Sequence, residues 1–165
     1  MTIPVGWFRI KDAAAYASVS SRTVSRWLQE GLRHSRLSSN SVRIKITDLD
    51  DWMERYEYLI DLGRSLPPFD ERHKTPEYLI EGCQSKVWLF PSFENGIITF
   101  TAESDALITR GIVALLVRVF SGRTPAEIVD SNIYFIEKIG LRENLSPTRS
   151  NGLLAMMKQM RLYAL

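Results

Sequence analysis

The sequence predicts an α+β fold, a small antiparallel sheet packed by helices, preceded by a separate basic module. Asn95-Gly96 joins two short apolar runs, which is a strong signal for a β-hairpin. Residues 107–119 are too apolar to form anything but a central helix. Residues 1–47 carry eight Lys and Arg against two acidic residues, a net charge of +6, whereas the remaining residues carry 13 against 17, a net charge of −4. This split favours different partners for the two parts, with a polyanion for the basic one.

The overall composition is that of a globular protein with a packed core. The chain has 165 residues, of which 45% are hydrophobic and 24% charged, enough for one ordinary domain or two small ones. No secretory signal is visible, and the longest aliphatic run, Ile112–Val117, is too short to cross a bilayer. A single cysteine without a disulfide framework fits a reducing compartment. We therefore expect a cytoplasmic protein with no membrane partner.

The basic module has the pattern of two short helices followed by a hairpin. An alanine-rich helix over Lys11–Ala17 is interrupted by a turn at residues 18–20. Ser20 or Ser21 can cap a second helix, Arg22–Glu30, which Gly31 ends. Residues 32–37 and 42–46 then predict two strands, the second alternating apolar with basic side chains. This order of elements indicates a helix-turn-helix with a wing.

The basic module also contains segments that match a known family. They are Lys11-Asp12-Ala13-Ala14, Val19-Ser20, Arg22-Thr23-Val24, Arg26-Trp27, Gly31, Arg43-Ile44 and Asp48-Leu49-Asp50-Asp51-Trp52. Through these segments residues 7–56 resemble the excisionase-type winged helix-turn-helix, a relative of the MerR DNA-binding domain. The resemblance implies double-stranded DNA as the partner of the basic module. The DNA-contacting residues that it implies are Arg22, Thr23, Arg26, Arg43 and Lys45.

A helix without a flexible linker is expected to join the two parts. Thr47 can cap it, and Gly63 is expected to end it. The apolar residues at helical spacing are Leu49, Trp52, Met53, Tyr56, Leu59 and Ile60. We predict a module over residues 1–47, a second over 48–165, a shared helix at about 48–63, and a fairly rigid joint.

Downstream of this helix, local signals predict the remaining elements. Thr75-Pro76-Glu77 opens a short helix, and a capping box at Thr124–Glu127 opens another. The other predicted elements are strands 87–93 and 97–102, a helix from Asp105 to about Phe120 capped by Ser104, a helix over 131–139, and a last helix from Ser146-Pro147 nearly to Leu165. In the last helix we expect five residues to face the core: Leu153, Met156, Met157, Met160 and Tyr163.

The only cysteine, Cys83, lies in a polar stretch just ahead of the strand predicted over residues 87–93. A lone thiol is usually a small buried hydrophobe. Here Gly82 gives the loop freedom, the residues that follow are polar, and Lys86 supplies a positive charge that favours the thiolate. We interpret Cys83 as reactive, and we expect it to be shielded until a partner arrives.

A single cysteine limits the available chemistry. A two-cysteine redox cycle and a zinc site of several thiolates are excluded, and the sequence predicts no metal site and no cofactor. Nucleophilic hydrolysis needs a histidine base, and the two histidines, His34 and His73, are interpreted as surface residues. A carrier role, in which sulfur accepts a group and gives it away, is favoured.

The second part of the chain contains a set of segments that match a known family in kind and order. They are Tyr58–Gly63, Leu66-Pro67-Pro68, Gly82–Ser85, Val87-Trp88, Ser104-Asp105-Ala106, Gly111, Thr124-Pro125 and Leu145–Leu153. Through these segments the chain from about residue 50 to 165 resembles SufE, the sulfur acceptor of cysteine desulfurases in iron–sulfur cluster assembly. The resemblance implies a SufE/IscU-like fold.

The same resemblance implies a function and partners. Cys83 would take persulfide sulfur from a SufS-like desulfurase and pass it to a SufB-like scaffold, as a carrier that activates the desulfurase. Arg149, Asp105 and Gln84 would contact the partner. The alternative is a DNA-binding regulator whose SufE-like part senses sulfur or mediates interactions.

Overall fold

The computed structural model describes residues 6–38, 41–131 and 147–165, with the backbone alone at 37–38 and 147–149. In chain order these residues form β1 (Trp7–Phe8), α1 (Ile10–Tyr16), α2 (Ser21–Glu30), β2 (Ser35–Ser38), β3 (Ser41–Lys45), α3 (Ile46–Arg64), 3-10 turns at Glu71–His73 and Pro76–Tyr78, β4 (Val87–Glu94), β5 (Ile97–Ser104), α4 (Leu107–Phe120), α5 (Pro125–Asp130) and α6 (Pro147–Leu162). The α+β prediction is confirmed. Of the helix predicted over 131–139, only residue 131 lies among the described residues.

The N-terminal elements follow the predicted order. Ser20 caps α2, because its side chain accepts a hydrogen bond from the backbone N–H of Thr23 at 3.1 Å. Gly31 ends α2 at a φ of 121°, a conformation that glycine adopts without strain. The strand β1 was not predicted. It pairs with β3, which also pairs with β2, so the wing is a three-stranded antiparallel sheet in the order β1-β3-β2.

The helix α3 is longer than predicted at both ends. It begins at Ile46, so Thr47 lies inside it and is not its cap. Gly63 does not end the helix either. It packs against α4, where a Cβ built on Gly63 would lie 2.9 Å from the backbone nitrogen of Gly111. A Cβ on Gly111 would overlap the carbonyl oxygen of Leu59. These two glycines therefore allow α3 and α4 to cross with their backbones nearly in contact.

The hairpin of β4 and β5 forms the second sheet, and its turn is the one predicted. Asn95 and Gly96 both have positive φ, 52° and 79°, as the favoured two-residue hairpin turn requires. β5 continues to Ser104, so α4 begins at Leu107 and not at Asp105. The predicted capping box of Thr124 and Glu127 is confirmed at the start of α5.

Two hydrophobic clusters form around α3. The N-terminal cluster contains buried residues of α1, α2, β3 and α3, together with Leu32. The C-terminal cluster is built on β4, β5, α4 and α6, and it contains Leu153, Met156, Met157 and Met160 as predicted. Tyr163 packs against it while partly exposed. Tyr56 packs against both clusters, so the first half of α3 belongs to one and the second half to the other.

None of the helices in the described ranges is long and apolar enough to span a membrane.

Candidate functional site

Cys83 lies on a short loop that is closed at its base. The backbone N–H of Ile80 donates to the carbonyl oxygen of Val87 at 2.8 Å, and Leu79 bridges to Trp88 of β4. Between these points Gly82 has a φ of 86°, which reverses the chain ahead of the cysteine. The loop thus presents Cys83 at the end of the hairpin opposite to the Asn95-Gly96 turn.

The thiol packs closely against α6. Its Sγ donates to the carbonyl oxygen of Gly152 at 3.6 Å. A Cβ on Gly152 would lie 3.3 Å from that sulfur, and a Cβ on Gly82 would lie 3.6 Å from Ala155. Glycine at position 152 therefore lets the helix approach the sulfur, and this role follows from close packing rather than from a turn.

Burial raises the pKa of the Cys83 thiol above its ordinary value, because a half-buried thiolate loses hydration. This direction is opposite to the one expected from Lys86, whose side chain is exposed. A raised pKa favours the neutral thiol in the folded protein. The buried thiol therefore contributes fully to stability below its pKa in the unfolded state. This contribution is lost as the pH rises through its pKa in the folded state.

Asp105 holds the end of the cysteine loop. Its carboxylate accepts a hydrogen bond from the backbone N–H of Lys86 at 3.0 Å, and its own N–H donates to the carbonyl oxygen of Lys86 at 3.3 Å. Asp105 precedes α4 by two residues, so it lies outside the helix that was predicted to begin with it, and it contacts the cysteine loop.

The other two residues predicted to bind the partner lie in different settings. Gln84 is exposed next to Cys83. Arg149 lies in the first turn of α6, and its side chain is outside the described part of the chain.

A cavity of 520 Å³ adjoins the thiol, and residues from both parts of the chain line it. α2 contributes Arg26, Gln29 and Glu30, and the cysteine loop contributes Cys83, Gln84 and Ser85. The remaining lining residues are Thr109 and Ile112 of α4 and Gly152 and Met156 of α6. Because the helix-turn-helix supplies one wall, the surroundings of Cys83 depend on both parts of the chain.

Neither histidine is placed to act as a base for Cys83. The ring of His73 stacks on Phe90 with centroids 3.5 Å apart and meets Tyr78 edge-on, so it is a packing residue and not the solvated one that we expected. The Nδ1 of His34 lies 3.0 Å from the carbonyl oxygen of Leu32 in the N-terminal part. Among the described residues that line the cavity, histidine is not represented.

The predicted DNA-contacting residues occupy two elements. Arg22 and Arg26 lie on exposed α2 positions one turn apart, and Arg26 pairs with Glu30 at 3.7 Å. Thr23 is half-buried at the start of α2, with its hydroxyl 2.9 Å from that of Ser20.

On β3, Arg43 is half-buried and donates to the carbonyl oxygen of its neighbour Val42. Lys45 lies over the ring of Trp7 at 5.2 Å.

Sequence reasoning missed Gln29, Glu30 and Thr109. The spacing of Gln29 from Arg22 and Arg26, at i+7 and i+3, was a usable signal for the exposed face of α2. Thr109 lies in an apolar run, and its hydroxyl donates to Ser85 at 3.4 Å. Its place beside the cysteine loop depends on packing between distant segments, which no local pattern indicates.

The fold and the site together define a class of protein. It is a small α+β domain that carries a thiol on a loop and is joined through one helix to a helix-turn-helix. A family model described as "SufE: Fe-S metabolism associated domain" matches residues 40–164. A second, described as "Helix-turn-helix domain", matches residues 7–57. The chain therefore belongs to the SufE family, and its N-terminal part is a helix-turn-helix of the excisionase-like type. Both resemblances seen in the sequence are confirmed, and the two matches overlap on β3 and the first half of α3.

Relatives and a solved structure agree with this assignment. An uncharacterized SufE-like protein of Rhizobium etli is 47% identical over 118 residues, which are 68% of this chain and 80% of that protein. SufE-like protein 1, chloroplastic/mitochondrial, of Arabidopsis thaliana is 43% identical over 67% of this chain and 30% of its own length. The solution structure of a hypothetical protein from Thermus thermophilus, 20% identical, has a TM-score of 0.57 over 68% of this chain and 82% of its own. That likeness supports the fold.

Proposed function

We propose that Cys83 accepts persulfide sulfur from a cysteine desulfurase of the SufS type and passes it to an iron–sulfur scaffold of the SufB type, in the cytoplasm. The observation that carries the proposal is the half-buried thiol on a loop fixed at both ends, in a chain that belongs to the SufE family. In this proposal, residues 48–165 form the sulfur-acceptor module, with the same bounds as in the sequence prediction.

The transfer step resembles thiol–disulfide exchange. The Cys83 thiol gives up its proton, and its thiolate attacks the outer sulfur of the donor persulfide. The donor's S–S bond breaks, a new S–S bond forms on Cys83, and the donor leaves as a thiolate that takes up the proton. A raised pKa keeps the isolated thiol mostly protonated, which protects it from other electrophiles. Docking of the donor, with Gln84, Asp105 and Arg149 as proposed contacts, would favour the thiolate.

Intact mass spectrometry tests the carrier role. After incubation with a desulfurase and cysteine, the wild type should gain one or more sulfur atoms that a reductant removes. Cys83→Ser, which has the same shape without a thiol, should gain none. Equal labelling of both proteins would exclude Cys83 as the carrier, since the chain has no other cysteine.

We propose in addition that residues 1–47 bind double-stranded DNA through α2 and the wing. The net charge of +6 on these residues supports DNA binding, as does the exposure of Arg22 and Arg26 on α2. Each phosphate contact releases bound counterions, so the affinity should fall steeply with salt, with a slope of about −0.9 per contact in a plot of log K against log salt.

Fluorescence anisotropy with a labelled duplex measures this dependence. Arg22→Ala should weaken binding, by about 1–3 kcal/mol if the side chain reads a base, or lower the salt slope by about 1 if it contacts a phosphate. Arg118→Ala, an exposed change on α4, is the matched control and should leave binding unchanged. Binding that ignores salt, or no binding at low ionic strength, would remove the DNA proposal and leave the carrier proposal standing.

The second candidate function is a DNA-binding regulator whose SufE-like part senses sulfur. The charge split between the two parts favours it. A desulfurase turnover assay separates the two candidates, because a carrier that removes the persulfide should raise the rate of cysteine desulfuration. A regulator that only senses sulfur should leave that rate unchanged while its DNA affinity responds to the persulfide.

A further inference from the structure

The face of α2 that is proposed to meet DNA also borders the cavity of Cys83. Arg22, Arg26 and Gln29 are exposed at spacings of four and three residues, so they share one face of the helix. Two of them, Arg26 and Gln29, also line the cavity. The side chain of Arg26 is 59% exposed and lies 3.7 Å from the carboxylate of Glu30, whose side chain is 10% exposed. Arg26 therefore lies at the rim of the cavity, with Glu30 behind it.

Cys83 lines the same cavity. Its sulfur packs against Gly152 of α6, which also lines the cavity, and the residue packs on the C-terminal cluster. Gln84, which is exposed and also lines the cavity, lies on the rim beside the cysteine loop. Among the described residues, a donor that reaches Cys83 through this cavity passes between the cysteine loop and α2.

The joint between the two parts holds this arrangement in place. The rings of Trp27 and Tyr56 have centroids 5.8 Å apart, and those of Trp52 and Tyr56 are 6.3 Å apart. Trp27 is buried on the face of α2 opposite to its exposed residues, and Tyr56 also packs against the C-terminal cluster. α2 is thus fixed to the same helix that carries the SufE-like core.

We propose that duplex DNA bound on α2 closes the entrance to the Cys83 cavity, so that DNA and the sulfur donor exclude each other. A major groove about 12 Å wide and 8.5 Å deep surrounds an inserted helix with two sugar–phosphate walls. With α2 in the groove, one of these walls covers the cavity, which lies beside Arg26. The phosphates also add negative charge beside a sulfur that must ionise to react, and this raises the cost of forming the thiolate. The inference rests on the proposed function, and it adds that the two activities of the chain are alternatives.

The test measures alkylation of Cys83 by iodoacetamide with and without a mixed-sequence 30-base-pair duplex at low salt, with anisotropy read on the same samples. With duplex at about ten times its Kd, about nine tenths of the protein is bound, and the alkylation rate should fall about tenfold. Raising the salt until the duplex dissociates should restore the rate. Arg22→Ala, which does not line the cavity, should need more duplex for the same protection.

A second thiol placed far from α2 controls for general effects of DNA on the reagent. Glu94→Cys in a Cys83→Ser background puts the thiol at the other end of β4, about 23 Å along the strand from Val87 at about 3.3 Å per residue. Its alkylation rate should not change when the duplex binds.

If the duplex and the donor compete for the same space, a bulky group on Cys83 should also hinder the duplex. A large polyethylene glycol maleimide on Cys83 should therefore weaken binding of the same duplex. The same tag on Glu94→Cys should not.

The outcomes separate the inference from the proposed function. If anisotropy shows binding while Cys83 is alkylated at the unbound rate, the exclusion is wrong and DNA binding stands. If the duplex does not bind at low salt, the DNA proposal fails and the exclusion fails with it. Sulfur loading of Cys83 by the desulfurase, measured by mass, is independent of both results.

Discussion

The N-terminal and C-terminal clusters are both closed by α3, but they are very different in size. Within the described residues the N-terminal cluster contains seven buried hydrophobic side chains, and the C-terminal cluster contains twenty-one. Since stabilisation by burial scales with the apolar area removed from water, the N-terminal part gains much less from its own packing. It therefore depends on the part of α3 that the larger cluster holds in place, and we expect it to open at a lower free energy.

The largest effect is expected at the crossing of α3 and α4, because it disturbs the support of both clusters. Gly111→Ala places a methyl group on the carbonyl oxygen of Leu59, and neither backbone can yield without separating the helices. Overpacking of this kind should lower the free energy of unfolding by about 3 kcal/mol. Urea unfolding measures the loss, with Arg118→Ala on the exposed side of α4 as the control. An unfolding midpoint within error of the wild type would show that the crossing can relax.

A smaller and more selective effect is expected at Tyr56. Tyr56→Ala removes the ring that touches Trp27 and Trp52 and packs on both clusters, so it should cost about 2 kcal/mol for a half-buried aromatic residue. Hydrogen exchange should become faster in α1 and α2 than in β4 and β5. Tyr58→Ala on the same helix, where the side chain is 60% exposed, is the matched control. Uniform acceleration across the chain would mean that the two clusters unfold together.

The smallest effect compares two helix caps of the same chemistry. Ser20 caps α2 and Thr124 caps α5, each through its hydroxyl and the backbone N–H three residues later. Replacing either by alanine should cost about 1 kcal/mol. Ser20→Ala should appear as faster exchange in α2 with little change in global unfolding, whereas Thr124→Ala should lower the global value. Equal global losses would contradict the independent opening of the N-terminal part.

Local chemistry predicted the elements whose causes are local. Asn95-Gly96 specifies its turn through positive φ, and Thr124 with Glu127 specifies the start of α5 through reciprocal hydrogen bonds. Ser20 and Gly31 likewise mark the ends of α2 within one residue. In each case the determining residues lie within a few positions of the structure that they determine.

The sequence-based predictions that were wrong or incomplete failed because the causes are non-local. Gly63 looked like a helix end, but it is a contact residue whose partner Gly111 is 48 positions later in the chain. The two-residue strand β1 exists only because β3 pairs with it. The site divides in the same way: Cys83 was found from its neighbours, whereas the α2 wall of its cavity depends on the packing of α2 against α3. The raised pKa of Cys83 follows from burial of its thiol against distant segments and not from Lys86.

The continuity of α3 sets the phase between the two halves of the chain. Successive helical residues are rotated by about 100° and rise by about 1.5 Å. One residue inserted between Tyr56 and Leu59 would therefore turn the whole helix-turn-helix by more than a quarter of a revolution, without changing a single contact inside it. Arg26 would then be carried away from Cys83, and both parts could still fold. The juxtaposition of α2 and the thiol is thus encoded by the number of residues in this helix as much as by their kind.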